Sequence, residues 1–255
     1  MTVHFVGAGP GAADLLTVRA ARLLGSTPVC VYAGTYVDPE VLALCPDDAT
    51  LVDTQHLDLD QITATLVSAH EAGQDVVRLC SGDPSVYSAM TEQARRLDLA
   101  GVPWDVTPGV PAYAAAAALV GAELTVPEVA QTVVLTRTQA RSTRMPATEA
   151  LPQLAATRAT LALHLAITRI RVLVDDLVPE YGADCPVVVV HRASQPGELV
   201  LVGTLADIAD AVEEAGLRQA AVILVGRALE SAQAVGQSVD VRGSHLYDPA
   251  RPRPS

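Results

Sequence analysis

Three glycine-bearing turns carry the residues that could do chemistry: Gly7-Ala8-Gly9-Pro10-Gly11, Ser81-Gly82-Asp83-Pro84 and Pro108-Gly109-Val110-Pro111. Each follows a short β-branched run and precedes a helix-forming stretch, so each reads as the carboxyl end of a strand passing into a helix. Glycine has no Cβ and takes positive φ freely, which lets backbone lie directly against a ligand or a neighbouring strand. In open α/β sheets, ligands bind in the crevice beyond those strand ends. The spacing Gly7-x-Gly9-x-x-Ala12 fits the loose dinucleotide fingerprint, which makes a nicotinamide-dependent oxidoreductase one candidate class. Two features oppose it. Pro10 removes an amide from the middle of the turn, and the run Pro28 to Gly34 ends without the acid that would hold a ribose hydroxyl. Taken alone, Asp83 reads as a helix cap with Pro84 at the first helical position.

The remaining chemistry is narrow. All seventeen basic residues are Arg, so lysine-dependent covalent catalysis is excluded. A net charge of −12 argues against a nucleic-acid surface. Cys30, Cys45, Cys80 and Cys185 are widely separated, and no His/Cys/Asp group has zinc spacing, so no metal is expected. His164 and His191 read as core or crevice residues. No Ser-His-Asp or Cys-His signature is present, and no side chain is assigned a catalytic role. Neither a signal segment nor an apolar stretch long enough to span a membrane is found, and a soluble cytoplasmic protein is expected.

The elements that must position these turns alternate strand and helix, the pattern of an α/β protein with largely parallel sheet. Strands are predicted near 2–6, 28–32, 49–53, 75–80 and 103–107, with helices near 14–25, 38–44, 59–72, 85–99 and 111–120. A second series has strands near 131–136, 159–164, 186–191, 199–203 and 221–226, with helices near 148–156, 168–179 and 204–215. Half of the 255 residues are hydrophobic but only 3% aromatic, so the core is built from Ala, Val and Leu. Two α/β domains are expected, at 1–121 and 122–247, followed by a disordered tail at 248–255. The segment Thr138 to Thr148 reads as a long functional loop.

The first glycine loop with Leu16-Thr17, the turn Ser81-Gly82-Asp83-Pro84-Ser85-Val86-Tyr87 and the turn Pro108-Gly109-Val110 together resemble the tetrapyrrole methylase superfamily. The segments Tyr32-Ala33-Gly34, Glu123 to Val129, Gln131 to Arg137 and Thr160 to Leu165 are similar to its branch in cobalamin biosynthesis. The resemblance runs from about Val3 to Leu229. It implies a mostly parallel first sheet, a mixed second sheet, a ligand cleft between the domains and a homodimer. It also implies S-adenosylmethionine as the methyl donor and a reduced tetrapyrrole, metal-free or cobalt-bearing, as the small-molecule acceptor. By motif, the donor's contacts would be Pro10, Ser81, Gly82, Asp83, Val86, Tyr87, Pro111 and Ala112, then Leu165, Arg192, Ala193, Ala220 and Ala221. Pro111, Tyr113 and Ser88 depart from the residues usual in relatives, and Pro111 offers no amide. Arg78, Arg137, Arg141 and Arg144 are the candidates for the acceptor's carboxylates, through bidentate pairing. Tyr32 and Tyr36 are candidates for stacking on the macrocycle.

Overall fold

The computed structural model describes residues 1–34, 37–138 and 144–232. The chain divides into two compact units, Met1–Ala115 with Ser194–Gly197, and Ala116–Ala193 with Glu198–Ser255.

The first unit holds a five-stranded sheet: β1 (Val3–Gly7), β2 (Val29–Tyr32), β3 (Thr50–Asp53), β4 (Val76–Cys80) and β5 (Trp104–Thr107). The strand order is β3-β2-β4-β1-β5, and every pairing is parallel. Period-two alternation sends β1 and β4 side chains to two apolar layers. Val3, Phe5, Val76 and Cys80 join Leu66 and Ala69 of α3 (Leu59–Glu71) and Ala94 and Leu97 of α4 (Met90–Leu99). On the other face Val6, Val77 and Leu79 pack with Ala20 and Leu24 of α1 (Val18–Leu24) and Val41 of α2 (Pro39–Leu42). Phe5 and Trp104 meet edge to face at 6.0 Å, one of few places for an aromatic contact in so Ala- and Val-rich a core.

Strands β1 and β4 are neighbours, yet their following helices α1 and α4 lie on opposite faces of the sheet. That reversal defines a topological switch point, where the two outgoing loops diverge and leave a crevice at the carboxyl ends.

The second unit holds β6 (Val133–Arg137), β7 (Thr160–His164), β8 (Pro186–His191), β9 (Leu199–Thr204) and β10 (Ala221–Val225), in the order β6-β7-β10-β8-β9. Only β6 and β7 run parallel; β10 is antiparallel to both of its neighbours, and β9 to β8. One face packs Leu161, Leu163, Val187, Val189, Ile223 and Val225 against Leu151 of α6 (Leu151–Ala155), Leu173 and Leu177 of α7 (Ile170–Tyr181), and Ile208 and Val212 of α8 (Ile208–Glu214). The division between units falls inside α5 (Ala112–Leu119). The fold is thus α/β with a parallel first sheet and a mixed second sheet, as expected.

Two expectations shift. The helix expected from residue 85 begins only at Met90, because Tyr87 (φ 52°) and Ala89 (φ 55°) sit in the left-handed region and break the run. Arg78 is not at a strand end: it lies in the middle of β4, 7% exposed. Its Nε donates to Gln93 Oε1 at 2.8 Å and its Nη1 to the Val31 carbonyl at 3.3 Å. Burial lowers its pKa, and its fork is spent on tying β4 to α4 and β2, so it is withdrawn as a carboxylate ligand.

Candidate functional site

The three glycine turns come together at the carboxyl edge of the parallel sheet. A Cβ on Gly7 would stand 2.5 Å from both Cα and N of Gly109 and 2.8 Å from the Gly82 carbonyl oxygen. One on Gly109 would meet that same oxygen at 2.2 Å. No side chain fits these distances, so the glycines serve first to let three backbones touch. Gly9 and Gly82 exchange hydrogen bonds, Gly9 N to Gly82 O at 3.1 Å and Gly82 N to Gly9 O at 2.8 Å, and Gly9 takes φ 69° to do so. Beyond the loop, the chain makes a 3-10 turn at Ala13–Leu15 before α1 starts, with Thr17 as its cap, so no helix N-terminus aims into the glycine run. A dinucleotide site needs that aim.

Asp83 joins the second turn to the third. Its Oδ2 accepts from Gly109 N at 2.8 Å, and Oδ1 accepts from Ser85 N at 2.8 Å and from Ser85 Oγ. Burial works against its charge, but the Ser85 hydroxyl and the Gly109 and Ser85 amides outweigh that and hold its pKa below the ordinary carboxylate value. Because α4 starts seven residues later, Asp83 does not cap that helix; it acts as a clamp across two loops. Pro10 is buried and its carbonyl accepts from Gln195 Nε2 at 2.6 Å, while Ala12 N donates to Ser194 Oγ at 3.1 Å. A Cβ on Gly11 would overlap Gln195 Cγ, which gives the third glycine of the loop its steric reason. Pro111 lacks an amide but presents its carbonyl to Ala114 N at 3.0 Å, starting α5, with Ala112 as the first helical residue.

Along this edge Ser81 is exposed, Val86 half-buried and Tyr87 47% exposed. Tyr32 is half-buried at the end of β2, and its carbonyl accepts from Thr54 N at 2.7 Å. Beside it Asp53, not singled out from the sequence, accepts from Gly34 N and Gln55 N, each at 2.9 Å. The signal was available in principle, since a Gly turn beside a strand-end acid is a common pairing, but only the β2–β3 register puts the two together.

In the second unit the remaining candidates also share one sheet edge. Leu165 follows β7, Arg192 and Ala193 follow β8, and Ala220 precedes β10, whose first residue Ala221 pairs with His191. Arg192 N donates to Ala220 O at 2.8 Å. Arg137, the last residue of β6, pairs in register with His164 at the same edge. Leu165 (φ 51°), Arg192 (φ 51°) and Ala220 (φ 52°) are all left-handed without being glycine, as Tyr87 is in the first unit. Such backbone costs roughly 1–3 kcal/mol per residue and clusters where ligands are held. Leu165 is also 59% exposed, an unusual place for leucine immediately after a buried strand. Burial lowers the pKa of His164, which keeps the imidazole neutral at neutral pH.

Arg144 lies on a cavity wall described below, and Tyr36 and Arg141 fall outside the described residues, as does the expected tail. Burial pushes the Cys80 and Cys185 thiols up to about 11, and Cys30 is raised by its hydrogen bond with Cys45 and by burial; the same hydrogen bond lowers Cys45. Among the described residues no three His, Cys, Asp or Glu side chains gather to hold a metal.

A parallel sheet with a switch point and touching glycine turns, followed by a mixed second sheet, defines an α/β protein with a ligand-binding strand edge. Residues 2–209 match the family model of the tetrapyrrole (corrin/porphyrin) methylases, and the chain belongs to that family. The match includes the opening loop, which removes the basis for the oxidoreductase alternative. A protein of Rhodococcus erythropolis named precorrin-4 C(11)-methyltransferase is 56% identical, covering 90% of this chain and 92% of its own. The crystal structure of a cobalt precorrin-4 methyltransferase of cobalamin biosynthesis superposes with a TM-score of 0.87 at 37% identity, over 89% of this chain and 95% of that one. A uroporphyrin-III C-methyltransferase of Thermus thermophilus complexed with S-adenosyl homocysteine gives a TM-score of 0.76 at 29% identity, over 91% of this chain and all of that one.

Two outcomes follow from the edge geometry. Gly109→Ala, whose methyl would enter the Gly7 backbone, should lower stability by at least about 2 kcal/mol in urea unfolding, the penalty of overpacking where neither backbone can yield. Asp83→Asn should destabilise by about 1–3 kcal/mol at pH 7, since a charged acceptor of three hydrogen bonds is lost. The Asp83 pKa is depressed in the folded state, so its contribution is present above the unfolded value of about 3.9 and disappears as pH falls through the lower folded value. The wild-type and Asn curves should therefore converge in urea titrations taken below about pH 4; a gap that stays constant with pH refutes the clamp.

Proposed function

We propose that this chain transfers a methyl group from S-adenosylmethionine to carbon 11 of precorrin-4, giving precorrin-5 in corrin-ring biosynthesis. The observation that carries the reading is the switch point between β1 and β4, with three glycine turns in backbone contact and locked by Asp83. The relatives supply the acceptor: the protein bearing the metal-free name stands at 56% identity, against 37% for the cobalt-substrate structure, which favours the metal-free substrate.

The residues suit a donor recognised through main chain. Pro10, Ser81, Gly82, Asp83, Val86, Tyr87, Pro111 and Ala112 of the first unit, and Leu165, Arg192, Ala193, Ala220 and Ala221 of the second, are the proposed contacts. The left-handed residues Tyr87, Leu165, Arg192 and Ala220 re-aim the chain where it leaves or enters a strand, the kind of backbone that clusters where ligands are held. When bound, S-adenosylmethionine supplies an electrophilic methyl on a sulfonium, open to in-line attack by an electron-rich ring carbon. The substrate brings its own nucleophile, so the protein has to fix distance and direction and keep water out. A rigid edge built from three interlocked backbones does the first, and Tyr32 and exposed Leu165 provide apolar surface for the second. Arg137 and Arg144 supply positive charge for the acceptor's acetate and propionate groups. The enzyme is proposed to work as a homodimer in the cytoplasm; among the described residues no helix is long and apolar enough to cross a membrane.

Incubation with labelled S-adenosylmethionine and either precorrin-4 or its cobalt form, followed by mass spectrometry, should show one added methyl on the metal-free ring. Label on neither ring defeats the assignment. Calorimetry should find S-adenosylhomocysteine bound and NADH not bound. Arg137→Ala should weaken tetrapyrrole binding about tenfold, a loss of about 1.4 kcal/mol, with S-adenosylhomocysteine affinity within twofold of wild type. Equal loss of both would assign Arg137 to the donor or to the fold.

A further inference from the structure

We infer that a cavity at the β6 and α7 end of the second unit is the anchor for one carboxylate-bearing edge of the tetrapyrrole, with Arg169 and Arg144 as its ligands. The inference rests on the proposed function and assigns Arg169, which no motif singled out. The cavity has a volume of about 300 Å³ and is walled by the end of β6, the segment Arg144–Pro152 and one face of α7. Its floor is apolar, from Leu151, Leu173 and the side of Val172. Three guanidiniums, of Arg137, Arg144 and Arg169, stand on its walls.

Four features make it an acceptor site for anions. Arg144 and Arg169 are exposed on the cavity wall and have no ion-pair or hydrogen-bond partner among the described residues, so both guanidiniums are open to an entering carboxylate. Thr138 Oγ1 is buried in the cavity wall with no partner there, and a hydroxyl left so can donate to an entering oxygen. Arg169 ends a 3-10 turn, Ile167–Arg169, that runs directly into the twelve-residue α7, so it stands at the positive end of that helix's dipole. The edge is also continuous with the proposed donor site, because Leu165 lies four residues before Arg169 on the chain leaving β7.

Two carboxylates share the walls, Glu149 and Asp176. Asp176 is seven residues beyond Arg169 on α7, about 10 Å along the axis, so an anion is drawn to the opposite, N-terminal end. Glu149 stands on the 3-10 turn Ala147–Glu149 and opposes an incoming anion from that side. Two unpartnered guanidiniums over an apolar floor match an acetate and a propionate from a single pyrrole ring, with the propionate methylenes against Leu173 and Val172.

The test measures steady-state methyl transfer with S-adenosylmethionine and precorrin-4 for full-length Arg169→Gln, Arg144→Gln and Arg169→Lys. Arg169→Gln and Arg144→Gln should each raise KM for the tetrapyrrole at least tenfold while kcat stays within about threefold and S-adenosylhomocysteine affinity does not move. Arg169→Lys should recover part of the loss, since charge is kept and the fork is lost. Glu149→Gln should lower KM. A tetrapyrrole KM within twofold of wild type in both Gln variants, with wild-type melting temperatures, overturns the anchor and leaves the proposed function standing. Parallel loss of donor affinity overturns it in favour of a structural role. A wild-type protein that methylates no tetrapyrrole removes the function itself and the anchor with it.

Discussion

Everything at the carboxyl edge of the first sheet depends on a backbone approach that only glycine permits. Gly7, Gly82 and Gly109 bring the loops leaving β1, β4 and β5 into direct contact, and the Asp83 carboxylate holds the second loop to the third through the Gly109 amide. Carboxylate-to-amide bonds of this kind are charge-assisted and short, and they fix geometry that backbone contacts alone would let slide. The Gly9–Gly82 bridge adds a second tie between the loops from β1 and β4. Those are the two loops that the sheet topology sends to opposite faces. The sheet opens the crevice and the glycines close its floor.

This arrangement explains why a motif close to the dinucleotide fingerprint serves another chemistry. A pyrophosphate site spends glycines to expose helix N-terminal amides, whereas here the amide run is interrupted by Pro10 and a 3-10 turn intervenes before α1. The clearance goes to packing strand ends together, so what the edge offers a ligand is rigid main chain, with the Asp83 charge already spent on its own hydrogen bonds. A rigid edge of this kind fits methyl transfer to a carbon that carries its own electron density, where alignment matters more than acid or base. Neutral His164 and the protonated, buried Cys80 thiol agree with such a surface.

Much of this was legible in the chain. All ten described strands fall within two residues of the positions their β-branched runs predict; β1, β4 and β7, buried on both faces, read as near-continuous apolar segments, and the rest are marked by Val, Leu and Thr between turn residues. Helix starts were read less well. Val18 and Met90 come late because 3-10 and left-handed residues precede them, and propensity does not register a Tyr or Ala at positive φ. Arg78 was misplaced for a related reason: an arginine near a glycine turn reads as a ligand, but strand alternation puts it on the α4 face, where Gln93 receives it. Period two contained that answer, since Arg78 shares a face with Val76 and Cys80.

Arg169 shows what sequence reading leaves out. It sits in an ordinary helical stretch, Ile167-Thr168-Arg169-Ile170-Arg171, two residues from Arg171, whose guanidinium is fully engaged by Asp210 and Glu213. Nothing in the spacing separates the two arginines. Arg171, on α7, reaches Asp210 and Glu213 of α8, while Arg169, at the end of the 3-10 turn before α7, lines the cavity at the end of β6 and makes no ion pair among the described residues. Partnering distinguishes them: the protein neutralises the arginine that packs against α8 and leaves uncompensated the one beside its sheet edge. In a chain of net charge −12, an arginine without an acid partner carries meaning only where it lines a cavity, as Arg169 does beside Arg137 and Arg144; there a carboxylate of the ligand can supply the missing negative charge.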